Sequence, residues 1–380
     1  MKTKSKQTIC VHEGQKPDEY RGINTPVYTS TSYGYLDSEE RLYPRYFNIP
    51  NQKVLIEKLS KLENAESGLI FSSGMAAIST TLLSLLNKED HIIFQKGLYG
   101  GTIHFILEDF KRFGIQYTML TSNTVNSITD AIQKNTKIIY IETPSNPLLS
   151  IIDLSEISRI CKSGNILSVI DNTFASPINQ NPIDFGIDIV LHSATKYLGG
   201  HSDISAGAVL SRKDLIDKIW GTALNLGGSL NALMCHLLER SLKTLALRVA
   251  KENENAQRIA EFLTNSPNIN KVYYPGLTGD EGHETAKKQM TGFGGMLSFE
   301  IKRPGIYDFQ KKLTLIKPSM SLGGVETTIC APSLTSHRHL TKEQREQDGI
   351  KDNMLRLSVG IEDVEDLISD LEQAMKQNIK

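Results

Sequence analysis

The run Asp188-Ile189-Val190-Leu191-His192-Ser193-Ala194-Thr195-Lys196 passes from four apolar or ring-bearing residues directly into small hydroxylated ones and a lysine. An apolar run this short, ended by turn-forming polar residues, predicts a buried strand whose carboxyl end carries chemistry. Working outward, Leu69–Phe71, His91–Phe94, Tyr117–Leu120, Lys137–Glu142 and Leu167–Asp171 have the same texture. Helix-like segments such as Met75–Leu86, Ile103–Phe113 and Leu154–Lys162 separate them. That alternation predicts an α/β fold, a mostly parallel sheet with helices on both faces. A long helical pattern from Leu230 to Leu263 comes next, then expected strands at Val272–Tyr274, Gly295–Ile301 and Met354–Val359 and a helix over Val364–Met375. These describe a smaller α+β C-terminal domain. The first sixty residues lack steady periodicity until Val54, Leu55, Leu59 and Leu62 mark one helix face. An arm without a core of its own is expected to lie across another surface.

Composition excludes several classes. Lys plus Arg number 42 against 43 Asp plus Glu in 380 residues, a net charge of -1. With no long basic block, a phosphate-neutralising nucleic-acid binder is not expected. No apolar run approaches the ~18–20 residues that cross a bilayer. The basic start Met1–Gln7 has no apolar stretch behind it, so no secretory signal is expected. Cys10, Cys161, Cys235 and Cys330 form no CxxC pair. They read as reduced thiols of a cytoplasmic protein rather than as zinc ligands or disulfides. His192, His201, His236, His337 and His339 fit no ligand spacing, and no metal is expected.

The residues just beyond each expected strand test for a site. Ser72-Ser73-Gly74-Met75-Ala76-Ala77 opens a helix whose free N–H groups suit a phosphate. Tyr99-Gly100-Gly101-Thr102, Glu142-Thr143-Pro144-Ser145-Asn146-Pro147 and Asp171-Asn172-Thr173 end three more strands. Neither GxGxxG nor GxxxxGK[ST] occurs. A phosphate-binding helix start, an acid and a lysine remain. They match what pyridoxal phosphate (PLP) asks of a protein: a Schiff-base amine, a carboxylate for the pyridinium nitrogen and anion donors.

The eleven residues Ser193–Asp203, read with Phe71–Ala77, Glu142–Pro147, Asp171-Asn172-Thr173-Phe174, Ser321-Leu322-Gly323-Gly324-Val325-Glu326 and Arg356–Glu362, resemble the ordered motifs of the Cys/Met-metabolism PLP enzymes. That family includes cystathionine γ-synthase, cystathionine β- and γ-lyases, methionine γ-lyase and O-acetylhomoserine sulfhydrylase. The resemblance implies fold type I, with an arm (1–60) reaching a neighbouring subunit, a seven-stranded PLP-binding domain (61–240) and a C-terminal domain (241–380). It implies a homotetramer built from active dimers and a small sulfur amino acid as substrate. It also implies Lys196 as the cofactor-bound, proton-shuttling residue, Asp171 on the pyridine nitrogen and Tyr99 stacked on the ring as acid or base. Gly74, Met75, Ser193 and Thr195 are then expected at the phosphate, joined by Tyr43 and Arg45 of a neighbouring subunit. Arg356 is expected on the substrate carboxylate, with Asn146 and Ser321 nearby.

Departures bear on the reaction. The segment Tyr43–Asn51 is one residue longer than the family's phosphate motif and lacks its Thr. Met320 stands where many γ-synthases and γ-lyases carry Glu, His104 where they often carry Arg, and Gly101 where methionine γ-lyases usually carry Cys. The expectation is a carbon–sulfur lyase of the trans-sulfuration type, acting by β- or γ-elimination. A γ-replacement enzyme (cystathionine γ-synthase or O-acetylhomoserine sulfhydrylase type) is the alternative. A non-catalytic PLP-binding protein and an aminotransferase stand behind it.

Overall fold

Residues 4–15, 18–302, 305–336, 338 and 341–376 are described in the computed structural model. Runs rich in Ile, Val and Leu form β1 (Ser67–Phe71), β2 (His91–Phe94), β3 (Gln116–Met119), β4 (Thr136–Glu142), β5 (Leu167–Asp171), β6 (Ile189–His192) and β7 (Gly207–Ser211). They make one seven-stranded sheet in the order β1-β7-β6-β5-β4-β2-β3. The ladders between β2, β3, β4, β5 and β6 are all parallel, and β7 runs antiparallel to both its neighbours. Consecutive strand residues face opposite sides. Ile70, Ile93, Ile139, Ile141, Ile170 and Val190 enter one apolar cluster, whereas Leu69, Ile92, Phe94, Ile138, Val169 and Leu191 enter a second. Helices Gly74–Leu85, Gly100–Phe113 and Lys213–Leu226 cover the second cluster; Pro50–Glu63 and Leu154–Gly164 cover the first. Both faces are buried, as a sheet of continuous apolar strands requires.

The chain then builds a five-stranded sheet from β8 (Ile269–Tyr273), β9 (Met296–Ile301), β10 (Lys317–Pro318), β11 (Thr328–Cys330) and β12 (Met354–Ser358), in the order β10-β11-β12-β9-β8. Leu297, Phe299, Leu355 and Leu357 share the cluster that holds Ile170 and Val190. The second sheet therefore packs on a core continuous with the first. The helix Val364–Met375 lies where the periodicity predicts it.

Three features depart from the expectations. The strands β7, β10 and β11 are not among those that apolar runs predict. The helical pattern over Leu230–Leu263 divides into Ala232–Leu242 and Leu245–Thr264. At the break the buried Arg248 donates to the carbonyl of Ser241 at 3.2 Å and to that of Tyr197 at 2.8 Å. A side-chain donor satisfies a helix-end carbonyl there. Gly200 (φ +67) faces the same guanidinium, and a Cβ at this position would lie 2.0 Å from Arg248 Nη1. Finally, Lys6–His12 is a helix capped by Ser5, with Ile9 and Cys10 buried and Lys58 Nζ donating to the Cys10 carbonyl at 3.0 Å. The early part of the arm thus docks on its own chain, while Tyr20, Ile23, Tyr35 and Leu36 stay exposed. All four cysteines are free and buried, and burial pushes the Cys161 thiol up to about 12. Among the described residues no helix is long and apolar enough to cross a membrane.

Glu252, fully buried on the helix Leu245–Thr264, has no hydrogen-bond partner for either carboxyl oxygen among the described residues. Burial pushes its pKa from 4.5 up to about 8; the Arg248 charge opposes the shift and the Glu362 charge adds to it. Between those values the unfolded chain binds fewer protons at this residue than the folded one, so its contribution to stability falls as pH rises through the window. Melting curves of wild type and Glu252→Gln from pH 5 to pH 8 test this. The variant is expected to gain on the wild type steadily as pH rises, the gap being widest at pH 8.

Candidate active site

The carboxyl ends of β4, β5 and β6 open into a cavity of about 470 Å³ that β12 closes from the second sheet. Lys196, Tyr99, Asp171, Gly74, Met75, Ser193, Thr195, Arg356, Asn146 and Ser321 all line it. The topology thus brings together ten of the residues that the sequence singles out. Tyr43 and Arg45 do not line it within this chain. Arg45 Nη1 instead donates to the Leu224 carbonyl at 2.6 Å, and its guanidinium lies over the Tyr43 ring at 5.7 Å. His104 lines a neighbouring cavity together with Met75, Leu83 and Phe105. Of the histidines considered for metal, His337 and His339 lie outside the described residues, among which no group of three or more potential ligands gathers.

The lysine sits on the connection between β6 and the reversed β7, held at both ends by the sheet. Its Nζ donates to Ser321 Oγ at 3.1 Å. Burial lowers its pKa first, and the Arg356 charge lowers it further. Both effects favour a neutral, nucleophilic amine. Asp171 ends β5, and its Oδ1 accepts the Thr173 hydroxyl and, at 3.0 Å, the Thr173 N–H. Thr173 Oγ1 also accepts from Ser193 N at 2.8 Å, which couples the ends of β5 and β6. Asp171 Oδ2 has no partner among the described residues. Burial raises the Asp171 pKa, while the two Thr173 donors and the His192 charge oppose that rise.

The helix Gly74–Leu85 begins at the cavity, with Ser73 as its N-cap accepting from Ala76 N. Its first N–H groups have no intrahelical partner. A Cβ on Gly74 would lie 2.8 Å from Ser193 Cβ, so glycine lets the helix start approach the end of β6. Thr195 Oγ1 donates to the Ala206 carbonyl at 3.1 Å and accepts Ala206 N at 3.0 Å. In this arrangement its hydroxyl proton serves the loop rather than the cavity.

Arg356, on β12, is 3% exposed and forms no ion pair among the described residues. Its Nη1 donates to Asn146 Oδ1 at 2.9 Å and its Nη2 to the Met320 carbonyl at 3.1 Å, while Nε is buried without a partner. A guanidinium out of water and missing its counter-charge is costly unless an anion arrives. Glu142, which the sequence motif contains without pointing to a task, braces the site. Its Oε2 accepts Tyr99 N at 2.9 Å and its Oε1 accepts Asn146 N at 3.2 Å, so it sets the segments bearing both residues. It lies opposite Asp171 in the β4/β5 ladder. Burial, then the Asp171 charge, holds its carboxyl well above the usual range. Acids that end strands look alike in sequence, which is why this bracing is not legible there.

A family model described as "Cys/Met metabolism PLP-dependent enzyme" matches residues 7–376. The cystathionine beta-lyase of Lactococcus lactis subsp. cremoris (strain MG1363) is 43% identical over 98% of this chain and 99% of its own. The crystal structure of cystathionine gamma-lyase from Lactobacillus plantarum complexed with L-serine superposes with a TM-score of 0.94 at 38% identity, covering 98% of each chain. That of cystathionine gamma synthase from Xanthomonas oryzae pv. oryzae in complex with cystathionine gives 0.94 at 37%, again over 98% of each.

Because the Arg356 charge depresses the Lys196 amine, Arg356→Leu is expected to move the pH midpoint of Lys196 labelling upward. Reductive methylation read by peptide mass spectrometry measures it, and an unmoved midpoint would refute the coupling.

Proposed function

The chain belongs to the Cys/Met metabolism PLP-dependent enzymes, and on that premise we propose that it is a carbon–sulfur lyase eliminating at the β- or γ-carbon of cystathionine or a related sulfur amino acid. Its cofactor is pyridoxal 5'-phosphate. The cavity suits that group on three counts: a lysine tipped toward its neutral form, a buried carboxylate with one free oxygen, and a helix start with unpaired N–H groups. When bound, the cofactor supplies an electron sink for the pair left on the substrate's α-carbon.

The chain's own residues do the rest. Lys196 would hold the cofactor through its amine, and that amine takes the substrate's α-proton and returns it. Asp171 keeps the free Oδ2 for the pyridine N–H, and the Thr173 donors favour its ionised form. N–H groups of Gly74 and Met75 receive the phosphate with the Ser193 hydroxyl. Thr195, its proton donated to Ala206, contributes there by fixing the loop. Tyr99, 45% exposed, lines the cavity where it would help hold the cofactor, and its hydroxyl can exchange a proton with the leaving group. Arg356 binds the substrate α-carboxylate through the edge that includes its unpaired Nε, steadied by Asn146. Ser321 holds Lys196. Tyr43 and Arg45, which do not line this chain's own cavity, serve the phosphate of a neighbouring subunit in a homotetramer of active dimers. The exposed Tyr20, Ile23, Tyr35 and Leu36 of the arm support that assembly. Four buried free thiols support a cytoplasmic location.

The observation that carries elimination is the charge inventory of the cavity. Among the described residues the acidic and basic side chains lining it are Glu142, Asp171, Lys196 and Arg356. Each has a task above, and Met320, 71% exposed, offers only a flexible apolar chain beyond them. Nothing charged among these lining residues is left to select for a second amino-acid head, so the cavity suits a lyase that accepts several sulfur amino acids, cystathionine among them, over a synthase that must hold one substrate tightly. The γ-replacement reading rests on the likeness to the γ-synthase structure. Offering cystathionine with and without an activated homoserine ester, and analysing products by mass spectrometry, separates them. Keto acid and thiol released from several sulfur amino acids at comparable efficiency supports the lyase. Steep preference for the ester plus cysteine, with little keto acid, reverses the order. Pyridoxamine phosphate formed without thiol release reveals an aminotransferase, and no turnover at all a binding protein.

Lys196→Ala is expected to abolish the visible absorption of lysine-bound cofactor and to lower turnover by about 100- to 10,000-fold. Mixing inactive Arg45→Ala and Lys196→Ala subunits is expected to restore part of the activity, since one hybrid site has both groups intact. Hybrids without activity would refute phosphate sharing across the interface.

A further inference from the structure

Glu63 closes the helix Pro50–Glu63, is 1% exposed, and has no place in the chemistry above. A carboxylate at a helix C-terminus opposes the helix dipole, so the helix does not account for it. Three side-chain donors converge on it instead. His192 Nε2 lies 2.6 Å from its Oε1, Asn172 Nδ2 donates to the same oxygen at 2.9 Å, and Asn181 Nδ2 donates to Oε2 at 3.1 Å. All are buried. Lys6, whose amine feels the charges of Glu63 and Asp184, provides a nearby cation.

His192 immediately precedes Ser193, and Asn172 immediately follows Asp171. Neither lines the cavity, whereas Asp171 and Ser193 both do. The one-residue offset matches the alternation of a strand, which turns neighbours to opposite sides. One carboxylate thus grips β5 and β6 from behind at the residues next to the proposed cofactor acid and phosphate hydroxyl. The grip extends to β4: Gln180 Nε2 donates to Asn172 Oδ1 at 2.9 Å and to the Thr143 carbonyl, beside Glu142, at 3.0 Å.

We propose that Glu63 is a positioning residue for the cofactor site, fixing through Asn172 and His192 the separation of Asp171 from Ser193 on which cofactor binding depends. This rests on the reading of the cavity given above. The amide of Glu63→Gln would turn a donor toward donors.

The holoenzyme, stripped of cofactor and titrated with PLP, provides the test. Glu63→Gln is expected to weaken PLP binding by about tenfold or more, the usual scale when a group orienting a direct ligand is lost. It should also shift the pH midpoint of the bound cofactor's visible band and narrow the melting-temperature gap between loaded and stripped protein. Asn181→Ala removes a Glu63 donor without touching either strand end. It is expected to lower both melting temperatures while affinity and midpoint stay put. If Glu63→Gln behaves like Asn181→Ala, the proposal is wrong. Should Glu63→Gln not fold, His192→Gln (which keeps an N–H for Glu63) and His192→Leu (which does not) decide it. Only the first is expected to retain affinity, and equal affinities overturn the clamp. Asp171→Asn, measured alongside, separates the two levels: if it changes neither affinity nor midpoint, the reading of the cavity fails and the clamp falls with it.

Discussion

A guanidinium buried at the junction of two sheets, without an ion-pair partner among the described residues, is the constraint around which the rest is arranged. Arg356 reaches from β12 to the carboxyl ends of the first sheet, where Asn146 and the Met320 carbonyl take two of its nitrogens and leave Nε bare. Burial without compensation costs free energy, so the surroundings must hold the cation in place. Glu142 does so indirectly by fixing Asn146 N, and the shared apolar cluster does so by docking one sheet on the other. The stored cost becomes selectivity for a ligand that brings an anion, and the same charge keeps the neighbouring lysine from holding its proton tightly.

The lysine loop obeys a second constraint. Arg248, from a different helix, gathers the carbonyls of Tyr197 and Ser241. The chain just after Lys196 is therefore fixed to a helix end rather than left to solvent. This explains together two features that look unrelated in sequence, a broken helix and a glycine of positive φ.

Legibility tracks the strength of the local signal. His91–Phe94 and Leu167–Asp171 have the bounds expected of them because apolar runs ended by polar residues admit few readings. Two- and three-residue strands such as Lys317–Pro318 and Thr328–Cys330 carry no periodicity to read, and their pairing is decided by distant partners. Gly207–Ser211 escapes a reading by alternation because it comes after the site loop without an intervening helix. In the site, Lys196, Asp171 and Arg356 are legible through residue type and order. Glu142, Thr173 and Glu63 are not, since what they brace comes near only after folding; Glu63 and His192 are 129 positions apart.

The bond between Arg356 and Asn146 joins residues 210 positions apart, so the cavity exists only once the second sheet has closed over the first. A molecule that touches both walls therefore binds the closed chain alone and adds its affinity to folding, by about 2.7 kcal/mol at a hundredfold excess over Kd. Abundance is thereby linked to supply. Where ligand is scarce, the unfolded fraction open to proteases is larger; where it is plentiful, that fraction falls without any change in synthesis.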